Sequence, residues 1–269
     1  MQKFKSVFIL SALVVLTSNL AIAADVVKDN SFLIEEAYNQ EAGVVQFING
    51  YQYSELTKDS TYTFTNEIPI RDETHQFSYA IPVIKKNGPP SDSGVGDILL
   101  NYRYQLVNTE HLAVAPRLSI IVPTGDYKKG FGNGVAGLQF NQAVSITVND
   151  KWTNHWNAGF TYTPDAKNAA GDTASLLGHN FGTSAIYNCT AKTNFIMEFV
   201  MNGNESVTGQ NTKTSSSTYY VVPGVRTAFN VGSDTEIVPG VAAILGVGPS
   251  AVDHDRGLFA YLSIESKLW

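Results

Sequence analysis

Charge is what this sequence has least of. Asp, Glu, Lys and Arg make up 16% of its 269 residues, against about 25% in a soluble domain. The basic residues form no stripe and the formal net charge is -6, which argues against a nucleic-acid partner. Cys189 is the single cysteine, so no intramolecular disulfide is available to staple the chain. After residue 23 no apolar run is long and unbroken enough for a transmembrane helix. The best, residues 237–252, is uncharged but interrupted by Pro239, Gly240, Gly246, Gly248 and Pro249. Metal-ligand clusters are missing as well. Asp253-His254-Asp255 are three neighbours that cannot converge on one ion from one strand, and no second cluster accompanies them. No metal and no cofactor is expected.

What the sequence does have begins with an export segment. Lys3 and Lys5 precede an apolar stretch from Val7 to Leu16, followed by Ala21-Ile22-Ala23. That order reads as a signal peptide over residues 1–23, cleaved at Ala23. An exported chain without a long apolar helix can still enter the bacterial outer membrane, because alternating strands are not retained as helices are.

Residues 111–148 show the alternation most clearly. In the first half Leu112, Val114, Leu118, Ile120 and Val122 share one face. In the second half Ala136, Leu138, Phe140, Val144, Ile146 and Val148 alternate with Val135, Gly137, Gln139, Asn141, Ala143 and Ser145. The polar face carries small residues and amides rather than the Lys and Glu of a soluble surface. Lipid on one side and a polar lumen on the other account for both faces.

The same period recurs over about twelve segments, near 43–54, 60–69, 74–84, 96–107, 111–123, 134–148, 152–163, 176–188, 193–203, 216–229, 234–247 and 256–269. Their connections alternate between short polar turns and longer loops rich in Gly, Pro, Ser or Asn, at 85–95, 124–133, 164–175, 204–215 and 248–255. The fold class expected is therefore all-β: a transmembrane antiparallel up-and-down β-barrel of outer-membrane type over residues 43–269. Short turns and both termini belong on the periplasmic side. Pro82, Pro116, Pro223 and Pro239 lie within strands, lack a ladder donor, and are expected at bulges or strand ends. Trp269 supplies the terminal aromatic of a barrel-insertion signal, although it shares parity with Tyr261, Ser263 and Glu265 rather than with the apolar face.

Residues 24–42 do not alternate and are expected to be an N-terminal periplasmic segment. Ser31 as N-cap, with Glu35 and Glu36 near the positive end of the dipole, marks a short helix. Such a helix is marginal in water. The segment is expected to dock at the periplasmic mouth or in the lumen as a plug, or to remain a frayed tail.

Turning the apolar set outward places Glu67, Asp97, Arg103, Arg117, Gln139, Asn141, His155, Glu198, Arg226 and Glu236 inward as lumen-lining candidates. Arg or Lys facing lipid at mid-bilayer costs about 2–4 kcal/mol, so these charges belong against water or one another. In one arrangement they line a narrow aqueous path and set selectivity. In the other the arginines pair with the acids and brace a filled interior. Twelve strands lie between the filled eight-stranded barrel and the open sixteen-stranded one, and admit both.

Three further patterns are weighed. Gly132-Asn133-Gly134-Val135-Ala136-Gly137 matches a dinucleotide fingerprint, but a period-2 strand follows where a helix is required. Pro123-Thr124-Gly125-Asp126 has turn chemistry and, by loop phase, forms an extracellular loop motif, with Lys128 and Lys129 beside it. His155 with an inward Ser is the single hint of a hydrolase, and nothing in the spacing supports it.

The run Gly96-Asp97-Ile98-Leu99-Leu100-Asn101-Tyr102-Arg103-Tyr104, then Pro116-Arg117-Leu118, Val122-Pro123-Thr124-Gly125-Asp126 and Gly132-Asn133-Gly134, resembles the outer-membrane β-barrels named for the meta-pathway of phenol degradation. The likeness is strongest over residues 96–160 and extends through strand and loop order over most of the mature chain. It implies a transporter or channel and, from the family name, aromatic compounds. It brings no catalytic residues.

The function expected is a non-enzymatic channel in the cell outer membrane, passing small molecules passively, apolar or aromatic ones among them. The alternatives are a structural or binding barrel with a filled lumen and, behind it, an outer-membrane hydrolase. Expected partners are outer-membrane lipid and lipopolysaccharide, the barrel-insertion machinery and a small solute.

Overall fold

The computed structural model describes residues 29–89 and 91–268. The signal-peptide reading of residues 1–23 and the insertion-signal reading of Trp269 fall outside the described residues.

Twelve antiparallel strands close into a barrel. They are β1 (Val44–Ser54), β2 (Ser60–Ile70), β3 (Asp72–Lys86), β4 in three pieces (Asp92–Val95, Ile98–Tyr104, Val107–Asn108), β5 (Leu112–Val122) and β6 (Gly137–Asn149). Then follow β7 (Trp152–Lys167), β8 (Thr173–Asn188), β9 (Thr193–Gly209), β10 (Thr212–Thr227, continued by Phe229–Val231), β11 (Thr235–Gly246) and β12 (Arg256–Lys267). Each strand pairs with its sequence neighbours, and β1 meets β12 from Val44 opposite Lys267 to Ser54 opposite Gly257. Closure follows from solvation. An unpaired N–H or C=O in hydrocarbon costs several kcal/mol, so an open edge is not tolerated there.

Side chains alternate as the sequence predicts. Leu118, Phe195 and Leu258 face outward with 53%, 53% and 58% of their surface exposed. Phe160, Trp156, Tyr162 and Phe181 continue the same outer surface around the barrel. Inward positions on the same strands are buried and polar: Asn101, Arg103, Ser119, Asn141, Ser145, Glu198 and Ser263. This is the reverse of a soluble domain and matches a lipid-facing wall around a polar interior.

Pro82, Pro116, Pro223 and Pro239 each sit beside a gap in one ladder. Ala80 pairs with Leu99 but Val83 pairs with Val95, so a bulge at Pro82 sets three steps of β3 against four of β4. At Pro116, Arg103 faces Arg117 while Val107 faces Val114, another one-residue bulge in β4. Between β10 and β11 pairing lapses at Pro223 and again opposite Pro239, and the register resumes unchanged on the far side of each. The missing N–H explains all four interruptions; only the first two shift the register.

Two expected loops are mostly strand. Residues 164–175 and 204–215 extend β7–β8 and β9–β10 into long hairpins, which turn only at 168–172 and 210–211. Thr212–Thr218 is strand because it pairs residue by residue with the β9 arm, its threonines suiting the extended backbone. Lys213 clips this extension, donating to Glu205 at 2.7 Å and to the Ser175 carbonyl at 3.1 Å.

An outward position at mid-strand should refuse charge. Leu118→Arg is expected to lower barrel stability by about 2–4 kcal/mol in lipid vesicles, read as a shift of the denaturant midpoint. A loss below about 0.5 kcal/mol, typical of a water-exposed surface, would remove the lipid-facing assignment.

Candidate functional site

Residues 29–40 enter the barrel and cross its lumen. They form bends, with no helix over 31–38. The reason is competition for backbone donors. The Glu198 carboxylate accepts three consecutive amides, from Phe32 at 2.9 Å, Leu33 at 3.1 Å and Ile34 at 3.2 Å. Asn157 accepts from Glu35 N at 2.9 Å, Ser145 from Ala37 N at 2.8 Å, Gln105 from Asn39 N at 2.7 Å and Gln76 from Gln40 N at 2.7 Å. Side chains of the wall therefore satisfy the amides a helix would have used. The order of partners carries the segment from β9 through β7 and β6 to β4 and β3.

Three arginines tie it from the other side. Arg103 donates to Asn39 Oδ1 at 2.7 Å and to the carbonyls of Glu36 and Tyr38, and pairs with Glu67 at 3.2 Å. Arg117 grips Glu35 through two bonds, at 2.6 and 3.0 Å. Arg226 donates to Asn194 Oδ1 at 2.9 Å, to the Asp29 carbonyl at 3.0 Å and to the Asn30 carbonyl.

Apolar side chains of the segment sit where the wall has none. A Cβ at Gly182 would stand 2.1 Å from Ile34 Cδ1, and Cβ atoms at Gly224 and Gly240 would stand 2.3 and 2.9 Å from the Phe32 ring. Phe32 also meets Phe259 and Tyr261 edge-on, at 6.1 and 6.3 Å between centroids. Ile186, Ile196 and Val222 complete this apolar side of the interior.

Of the expected lumen residues, Glu67, Arg103, Asn141, His155, Glu198 and Arg226 are buried inside the barrel, and Arg117 and Gln139 are half-buried there. Glu236 is half-buried opposite Glu265. Asp97 is taken up elsewhere. Its carboxylate accepts from Gly125 N at 2.9 Å and Asn133 N at 2.8 Å, tying down the loop after β5. His155 Nδ1 lies 2.8 Å from Ser145 Oγ, but the Ala37 amide covers that oxygen and both residues are buried. The pair has no open face for a substrate.

Gln46 and Gln76 were missed. Gln46 donates to Asp29, Ser263 and Glu265, each at 2.9 Å, and Gln76 donates to Glu67 at 2.6 Å. Their parity with Ile48 and Ser78 was available in the sequence. The glycine sockets left no comparable signal.

The segment fills the end of the barrel near the strand termini. Beyond it, toward the side of the turn at 55–59, lie cavities of about 320 and 300 Å³, and Leu33, Glu35 and Arg117 line both. The larger has a threonine wall, Thr61, Thr63 and Thr65, facing Ile48, Phe259 and Tyr261.

At the same end the loop after β5 forms a knot. Thr124 Oγ1 donates to the Gly96 carbonyl at 2.8 Å and accepts from Ile98 N at 3.1 Å. Asp126 caps a 3₁₀ turn, Tyr127–Lys129, by accepting from Lys128 N. A Cβ at Gly125 would stand 2.3 Å from the Phe131 carbonyl oxygen, and one at Gly132 would stand 2.2 Å from Asp97 Oδ1. The Gly-Asp, Pro-Thr-Gly-Asp and Gly-Asn-Gly pieces thus touch one another. The family described as "Putative MetA-pathway of phenol degradation" matches residues 24–238. The chain belongs to this family. No curated protein matches it in sequence. Among solved structures, an outer-membrane channel from Pseudomonas putida F1 superposes with a TM-score of 0.61 at 12% identity, over 86% of this chain and 97% of that one. The NanC porin superposes with a TM-score of 0.55 at 9% identity, over 83% of this chain and all of the porin. At such identities the likeness is one of fold.

Within this family member, the segment's acids are unequal. Burial opposes the charge on Glu35, but Arg117 outweighs it and holds the carboxyl below its usual range. Burial and the nearby Asp29 push Glu36 up to about 8. Burial raises Asp29 to about 6 against the pull of Arg226. One oxygen of each, Asp29 Oδ2 and Glu36 Oε2, is buried without a hydrogen-bond partner among the described residues.

Two outcomes follow from this packing. Gly182→Val should evict Ile34 and expose residues 29–43 to protease, and adding Ile34→Ala should restore protection. Equal cleavage in all three chains would show that the socket does not hold the segment. Raised carboxyl pKa values also set a direction with pH. Docking is firmest in mild acid, where Asp29 and Glu36 are neutral and Glu35 still holds its charge against Arg117, and weakens as pH climbs toward about 6 and about 8. Cleavage of the segment, normalised to a free peptide of the same sequence, should rise over that window; a flat or falling profile would contradict it.

Proposed function

We propose that this chain is a passive outer-membrane channel for small molecules whose own N-terminal segment closes it at rest. The observation that carries the reading is how the segment is held. It joins no strand of the barrel. Side-chain acceptors, arginine donors and glycine sockets hold it, and each can be given up without opening the wall. Cavities lie beyond it on the loop side, so withdrawal would join them to the other mouth. Family membership and the fold shared with channels support the same reading, as does the lipid-facing outer surface.

The solute is a small molecule, and the apolar wall around Phe259 and Tyr261 favours apolar or aromatic ones. In this reading outer-membrane lipid and lipopolysaccharide surround the barrel, the insertion machinery places it, and no residue acts as a catalyst. A filled structural or binding barrel is the second reading. The Arg103–Glu67 and Arg117–Glu35 pairs favour it, because they brace the interior without any solute.

Planar bilayers separate the two. The intact chain should conduct rarely, and Gly182→Val or Glu198→Ala should raise the open fraction severalfold. A channel-silent barrel in all three forms, shown to be folded by its heat-dependent gel mobility, would leave the filled-barrel reading standing instead.

A further inference from the structure

The smaller cavity has a chemistry of its own. Four adjacent strands, β6 to β9, build its wall from inward positions in register. Gln139 lies opposite Thr161, Asn141 and Asn180 flank Gly159, and Asn180 lies opposite Asn202. Asn204 adds a further amide beside Gly178. The two glycines, Gly159 and Gly178, keep the wall recessed between these side chains.

Part of the array is internally bonded. Gln139 donates to Thr161 at 3.0 Å, and Asn180 donates to Asn141 at 3.2 Å. Asn202 and Asn204 line the cavity with side-chain amides that make no hydrogen bond among the described residues. Each amide offers a carbonyl acceptor and two N–H donors. The cavity's cation and anion, Arg117 and Glu35, neutralise each other at 2.6 Å, so the site has little to offer a free ion. Leu33 is its one large apolar contact, so it also lacks a platform for an aromatic ring. At about 300 Å³ it lies at the small end of ligand sites, which span roughly 300–1,000 Å³.

We infer that this amide-lined chamber binds a neutral polyhydroxylated solute of monosaccharide or sugar-alcohol size. Hydroxyl groups both donate and accept, and match uncharged amides that do both. The inference rests on the lumen being reachable by solutes, as in the proposed channel. It differs in assigning this chamber a polar ligand, apart from the threonine and aromatic chamber beside it.

Equilibrium binding to the folded full chain in detergent tests it, with xylitol and glucose as probes and phenol and sodium acetate as comparators. Saturable binding of xylitol or glucose is expected. Asn202→Leu combined with Asn204→Leu should weaken it about tenfold, the loss of one to two hydrogen bonds, without removing any bond the fold uses. Thr63→Leu, in the other chamber, should leave it unchanged. The assignment is overturned if neither polyol binds, if acetate or phenol binds this wall more tightly than the polyols do, if the double variant binds as before, or if Thr63→Leu abolishes binding. Failure here leaves the channel reading intact, since conductance is measured separately. Polyol binding to a barrel that never conducts would remove the channel and keep the site.

Discussion

Hydrocarbon offers nothing to hydrogen-bond with, and the rest of this molecule is arranged around that fact. Every backbone donor at membrane depth has to find a partner in the chain, so the strands close on themselves between β1 and β12. Pro82, Pro116, Pro223 and Pro239 show how strictly the condition is met. Each costs a donor, and each is accommodated by a local lapse or a one-residue bulge while the ring stays continuous. β4 absorbs most of the irregularity and is split into three pieces, yet it still bridges β3 and β5.

Closing the wall creates an interior, and the polar side chains forced inward have to be satisfied there. In this chain they are satisfied largely by a peptide segment. A peptide backbone suits the task because it presents amides and carbonyls in alternation. Glu198 and the inward amides take the former, and Arg103 and Arg226 take the latter. Burying a carboxylate such as Glu198 without donors would be costly, and three consecutive backbone N–H groups offset part of that cost. The wall and the segment therefore solve one another's solvation problem. In the proposed channel, water would replace each of these partners when the segment leaves.

The loop knot at the opposite end is a second local solution. Asp97 ties Gly125 and Asn133 into one turn, and the glycines at 125 and 132 are required because a Cβ at either would overlap its neighbour. Sequence pieces that look like separate short motifs are one contact cluster.

Strand number, closure and the in–out assignment of side chains were legible in the sequence because they depend on a period of two, and parity survives errors of a residue or two at strand ends. Leu118 outward and Arg103 inward needed nothing more. Loop lengths were less legible: Thr212–Thr218 looks like loop by composition and is strand because a neighbouring hairpin arm was there to pair with it. The fate of residues 29–40 could not be read locally at all. Ser31, Glu35 and Glu36 spell a helix start, but Glu198 and Asn157 lie more than a hundred residues away and outbid it for the same amides. Likewise Asp97 has inward parity on its strand, and only the folded loop above it decides that its carboxylate is used there. Periodicity determined the barrel; long-range competition for hydrogen-bond partners, which no local pattern records, determined what fills it.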